Sequence, residues 1–187
     1  TFRRFGINMK LKFPETAAEF CGWHLATYSR GLTGEYMPDV KRSFKNTGYM
    51  TSPAARIAAG NGNHAELRRL AASALLARAY DFAGILPSVS RMYVAQAQEH
   101  AESEFKFDDS GWEEHKVNVQ LGGDLTSTRF LAHIEDLNSV GPNTVCEAEL
   151  LARFGYQVSA EELLALQTIP VDASKELFQR LLPPGLQ

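Results

Sequence analysis

Residues 18–45 read Ala-Glu-Phe-Cys-Gly-Trp-His-Leu-Ala-Thr-Tyr-Ser-Arg-Gly-Leu-Thr-Gly-Glu-Tyr-Met-Pro-Asp-Val-Lys-Arg-Ser-Phe-Lys, and in this stretch the chain changes from extended to helical. Ala18–Tyr28 is an extended run whose bulky members are Phe20, Trp23 and Leu25. Ser29-Arg30-Gly31 signals a turn, and Leu32–Met37 returns as a short strand. Pro38 suits a first helical turn, with Asp39 beside it and Val40 and Phe44 at i, i+4 spacing. The sequence therefore predicts a small antiparallel unit that leads straight into helix.

Upstream, Ile7, Met9, Leu11 and Phe13 alternate with Asn8, Lys10 and Lys12, the period of a half-buried strand, until Pro14 stops it. So few strands are not stable alone and need another surface to pack on. Downstream, helix signals dominate. Ser52-Pro53 starts a short helix that Gly60 ends, and Asn63 with Glu66 starts the next. Its predicted apolar stripe is Leu67, Leu70, Ala71, Ala74, Leu75 and Phe82, with Gly84 as the stop. Pro87 opens a helix carrying Val89, Met92 and Tyr93 to about Glu102. Glu104–Gly111 is polar and is the best candidate boundary. Beyond it, Val117, Val119 and Leu121 alternate as a weak strand signal before Gly122-Gly123. Asn143, Ser159 and Asp172 are helix starts, and Gly155 and Pro183 are stops. The predicted class is α+β, mainly α, with a small antiparallel β unit at the N-terminus.

The 187 residues are long enough to bury a real core in one domain or two small lobes. No run approaches the roughly 20 apolar residues of a membrane span, so no transmembrane segment is predicted, and no signal peptide is visible. Cys21 and Cys146 are too few for a disulfide framework, which favours a reducing compartment. The start at Thr1 suggests a processed chain or a piece of a longer one. The net charge of −3 hides an asymmetry. Residues 1–56 hold nine Lys/Arg against four Asp/Glu, giving +5; residues 57–100 give +1; residues 101–187 hold six against fifteen, giving −9. The basic segment fits either a polyanion-facing surface or a solvated face.

Motif chemistry is sparse. The five histidines include no i, i+4 pair and there is no Cys-x-x-Cys, so no metal site is predicted. Cys21 reads as a small apolar strand residue, since on a strand His24 points to the opposite face. There is no Gly-x-Ser-x-Gly. Gly60-Asn61-Gly62-Asn63 is a helix-to-helix turn rather than a phosphate loop, and Gly122-Gly123-Asp124 lacks the second carboxylate of a Gly-Asp-Asp turn.

One ordered set is more than generic. Phe20-Cys21-Gly22-Trp23-His24, the Ser29-Arg30-Gly31 turn and Met37-Pro38-Asp39-Val40-Lys41-Arg42 come first. His64-Ala65-Glu66-Leu67-Arg68-Arg69 and Gly84-Ile85-Leu86-Pro87 follow. From Thr1 to about His100 this order resembles the last part of the RNA-dependent RNA polymerases of the alphavirus-like superfamily. Ile7–Phe13 resembles the strand of motif D, with Lys12 the best match to its lysine and Lys10 the alternative. Phe20–Leu25 resembles the motif E hairpin, Pro38–Lys45 the start of the thumb, and Asn63–Tyr93 its central helices.

The resemblance implies residues 1–37 as the end of a palm, 38–103 as a helical thumb, and 104–187 as a thumb extension or additional lobe. It implies a fragment of a viral nucleotidyltransferase, with Lys12 near the leaving pyrophosphate and Cys21, Gly22, Trp23, His24, Arg30, Lys41, Arg42 and Lys45 on the template–product RNA duplex. The metal-binding aspartates of motifs A and C are not in this chain. Mg2+ or Mn2+, the nucleoside triphosphates and the fingers thus belong to the intact enzyme, and the chain alone is expected to be inactive. The resemblance also implies a viral replication complex in the host cytoplasm. Rival readings are a non-catalytic helical RNA-binding module and a protein-interaction module. The polymerase reading requires an apolar sheet face where the rest of the palm belongs.

Overall fold

The computed structural model describes residues 19–20, 22–28, 31–46, 52–107 and 117–166. The predicted strand at Ile7–Phe13 and the helix signals at Asp172 and Pro183 lie outside them. The chain is mainly helical with a small N-terminal antiparallel sheet, as predicted. Strands β1 (Glu19–Phe20), β2 (Trp23–Tyr28) and β3 (Gly31–Pro38) lie in that order. Phe20 faces Trp23 across the first turn, and Tyr28 faces Gly31 across the second.

Because side chains alternate along a strand, the register sorts the sheet into two faces. His24 and Ala26 share one face with Met37, and Ala26 and Met37 enter the hydrophobic core. Trp23, Leu25 and Tyr36 lie on the other; Trp23 and Leu25 are half-buried and Tyr36 is 54% exposed.

Helix α1 (Val40–Asn46) begins two residues later than predicted. Pro38 ends β3 opposite Trp23, and Asp39 becomes the cap: its Oδ1 accepts the Arg42 N–H at 2.5 Å. A proline is tolerated at such a strand end because no ladder bond there needs the N–H it lacks. Helix α2 (Pro53–Gly60) is capped by Ser52, and α3 (His64–Phe82) by Asn63, whose side chain accepts from Glu66 N. The buried face of α3 is Ala72, Leu75, Leu76, Ala79 and Phe82, shifted from the predicted stripe; Ala74 is exposed. Small residues at 72 and 79 let α4 (Pro87–His100) pack closely along α3. Phe82 stacks on Tyr93, 6.1 Å between ring centres, and Phe44 of α1 sits 5.7 Å from Tyr93. Full burial of such rings contributes roughly 1.5–3 kcal/mol each.

The acidic half folds onto this pair. Phe105 and Phe107 point into the core while Lys106 stays exposed, and Phe107 packs edge-on against Phe130. The core thus draws on residues from both sides of the polar stretch 104–111. Residues 117–120 form a helical turn, not the predicted strand. Leu121 N–H bonds back to the Val117 carbonyl, which puts Val117 inside and Val119 outside, whereas a strand would hold both on one face.

Helices α5 (Ser127–Ser139), α6 (Thr144–Arg153) and α7 (Ala160–Ala165) follow, capped by Thr126, Asn143 and Ser159, the last with Glu162 in a capping box. The buried Asn138 of α5 takes the Gly84 N–H on its Oδ1 and donates to Ser90 Oγ, which donates to the Ala79 carbonyl. Glu147 of α6 serves α4 in the same manner: Leu86 offers no side-chain cap, and Glu147 accepts from Ser88 N at 3.0 Å and Ser88 Oγ at 2.9 Å. Among the described residues no helix is long and apolar enough to cross a membrane.

Candidate nucleic-acid interface

The hairpin and α1 meet at Asp39. Its N–H donates to the Gly22 carbonyl at 3.0 Å, and its Oδ2 lies 2.9 Å from His24 Nε2. Gly22 has φ +82°, a conformation that suits glycine, and the Arg42 guanidinium lies where its Cβ would be, with Nη1 2.6 Å from that point. The turn is therefore shaped by backbone conformation and by the arginine folded over it.

Val40, Ser43 and Phe44 turn inward, while Lys41, Arg42 and Lys45 are exposed. Steps of one, three and four residues put these three cations on one side of the helix. Lys45 in the last turn also faces the negative end of the helix dipole. Sequence reasoning missed what supports this helix from behind. The Lys41 N–H, one of the first-turn donors that a helix cannot satisfy itself, donates at 2.8 Å to the hydroxyl of Tyr156, in the acidic half. Tyr156 is buried, and its phenol is held well above its ordinary pKa by that burial and by the charge of Asp39. Phe154 stands 5.0 Å from the His24 ring.

Of the predicted contact residues, Gly22, Trp23, His24 and Arg42 come together around this junction, with Lys41 in the first turn of α1 and Lys45 in its last. His24 is directed to Asp39 and Phe154. Lys12, Cys21 and Arg30 lie outside the described residues. An open cleft of about 220 Å³ runs between the hairpin turn and the helices, lined by Gly22, Trp23, Pro38, Asp39, Arg42, Ser43 and Arg78. Arg78 was not predicted, since it stands on α3, far away in sequence; its Nη1 pairs with Asp81 at 3.1 Å.

Residues 61–63 link α2 to α3, and Gly122, Gly123 and Asp124 all have positive φ, with Asp124 paired to Lys106. Among the described residues no group of three or more His, Cys, Asp or Glu is placed to hold a metal. No protein-family model matches the chain, and no curated protein or solved structure matches it significantly.

Proposed function

We propose that this chain is the C-terminal part of an RNA-dependent RNA polymerase of the alphavirus-like type, holding template–product RNA by its backbone. The metal-dependent transfer itself belongs to upstream palm and fingers, and Lys12 is the lysine proposed to act near the leaving pyrophosphate. One juxtaposition carries this proposal. A Phe-Cys-Gly-Trp-His hairpin is bonded through Gly22 and His24 to the Pro-Asp step that opens a helix, and that helix exposes Lys41, Arg42 and Lys45 on one side.

Backbone holding independent of sequence requires cations and aromatic surface rather than base-reading forks. Such an array sits here in the +5 segment, and the −9 segment packs behind it through Phe154 and Tyr156. Leu25 and Tyr36 lie side by side on the outer sheet face, Tyr36 54% exposed, which suits coverage by the rest of a palm. The test is binding of the chain to RNAs of unrelated sequence at several salt concentrations. Similar affinities that fall steeply with salt are expected; preference for one sequence, or no binding at low salt, contradicts the proposal.

A further inference from the structure

We propose that the cleft between the hairpin turn and helices α1 and α3 binds an RNA phosphodiester, with Arg42 and Arg78 as its two guanidinium ligands. This deepens the RNA-contact function proposed above and rests on it.

The lining comes from three separate parts of the chain: Gly22 and Trp23 from the hairpin turn, Pro38, Asp39, Arg42 and Ser43 from the end of β3 and the start of α1, and Arg78 from α3. Guanidinium groups carry planar forks of N–H donors that match phosphate oxygens, and two of them from different helices can approach one phosphate from different sides. Arg42 is already folded over the turn, because Gly22 leaves room for its guanidinium. Arg78 is anchored through Nη1 to Asp81, and its side chain is 41% exposed.

The carboxylates nearby are engaged. Asp39 receives the Arg42 N–H on Oδ1 and faces His24 Nε2 with Oδ2, and Asp81 pairs with Arg78. Trp23 at the rim offers a ring for an adjacent ribose or base. An open cleft of about 220 Å³ suits a segment of a continuous strand passing through it.

The experiment compares parent, Arg78→Gln and Arg68→Gln for binding a short RNA duplex with a single-stranded overhang over a salt series, with thermal melts alongside. Arg68 is an equal charge on the same helix, about 15 Å away along its axis. Arg78→Gln should weaken binding about tenfold at low salt and flatten the salt slope by about one unit, with Arg68→Gln close to the parent. Parent-like binding by Arg78→Gln, or equal loss in both variants, overturns the cleft assignment while the RNA-contact function stands. A parent that does not bind overturns both. If Arg78→Gln does not fold, Arg78→Lys is measured instead. Weaker binding with the slope retained supports the cleft, and parent-like affinity overturns it.

Discussion

His24 Nε2, on the second strand, lies 2.9 Å from Oδ2 of Asp39, the residue that caps the basic helix. The same aspartate holds the Arg42 N–H through Oδ1 and the Gly22 carbonyl through its own N–H. One side chain and its backbone thus set the helix against the hairpin, and Tyr156 completes the first turn from the other side. The direction in which Lys41, Arg42 and Lys45 project follows from this junction.

Replacing Asp39 by Ala removes both the cap and the partner of His24. A loss of roughly 1–2 kcal/mol in urea unfolding is expected. Asp39→Asn keeps a capping oxygen and should recover most of it. Equal stability of Asp39→Ala and the parent would show that the junction contributes nothing.

Gly22→Ala puts an L side chain at φ +82° and pushes the Arg42 guanidinium off the turn. The backbone strain costs roughly 1–2 kcal/mol. The displaced group is the far end of a flexible side chain, so the steric part adds little. A melting temperature equal to that of the parent would contradict the described turn.

Tyr156→Phe keeps the ring and deletes the acceptor for Lys41 N–H. A loss of roughly 0.5–1.5 kcal/mol is expected, together with faster amide exchange at Lys41. Unchanged exchange at Lys41 would mean that the hydroxyl does not hold the helix.

Burial pushes the Glu147 carboxyl up to about 7, against the opposing pull of its two bonds from Ser88 and the charge of Arg91. The folded state therefore holds this proton more tightly than the unfolded chain, whose ordinary value is 4.5. Its stabilising effect is complete below about pH 4.5 and is lost as pH rises through about 7, by about 3 kcal/mol in all. Glu147→Gln imitates the protonated acid, so its stability relative to the parent should climb between pH 5 and pH 8. Parallel pH–stability curves for the two proteins would contradict this.

Local signals made much of the fold legible. Ser52, Asn63, Asn143 and Ser159 cap helices as their positions suggested, because a cap and the N–H it serves are three residues apart. The turn to helix after Met37 was equally visible, with the start displaced by two residues, from Pro38 to Val40, because Asp39 is the cap. What was hidden depends on partners distant in sequence. Nothing near Lys41 indicates Tyr156, 115 residues away, and nothing near Leu86 indicates that Glu147 will serve as the missing cap. The face of α3 shifted because α4 determines which residues are covered, and Arg78 joins Arg42 only because α3 also packs against β3. The alternation at 117–121 misled because Val117 and Leu121, four residues apart, satisfy both periods and only Val119 between them separates the two, and the paired glycines end a helical turn as readily as a strand.

The central claim, that the basic helix follows an RNA backbone, is tested most directly by the salt dependence of RNA binding in Lys41→Ala/Arg42→Ala/Lys45→Ala. Each phosphate neutralised contributes about −0.7 to −0.9 to the slope of log affinity against log salt. The triple variant should therefore bind unrelated RNAs more weakly than the parent by a similar factor, with the slope flattened by roughly 1–3 units and the melting temperature little changed. A triple variant that keeps both the affinity and the slope of the parent would make Lys41, Arg42 and Lys45 a solvated face and contradict the RNA-contact function.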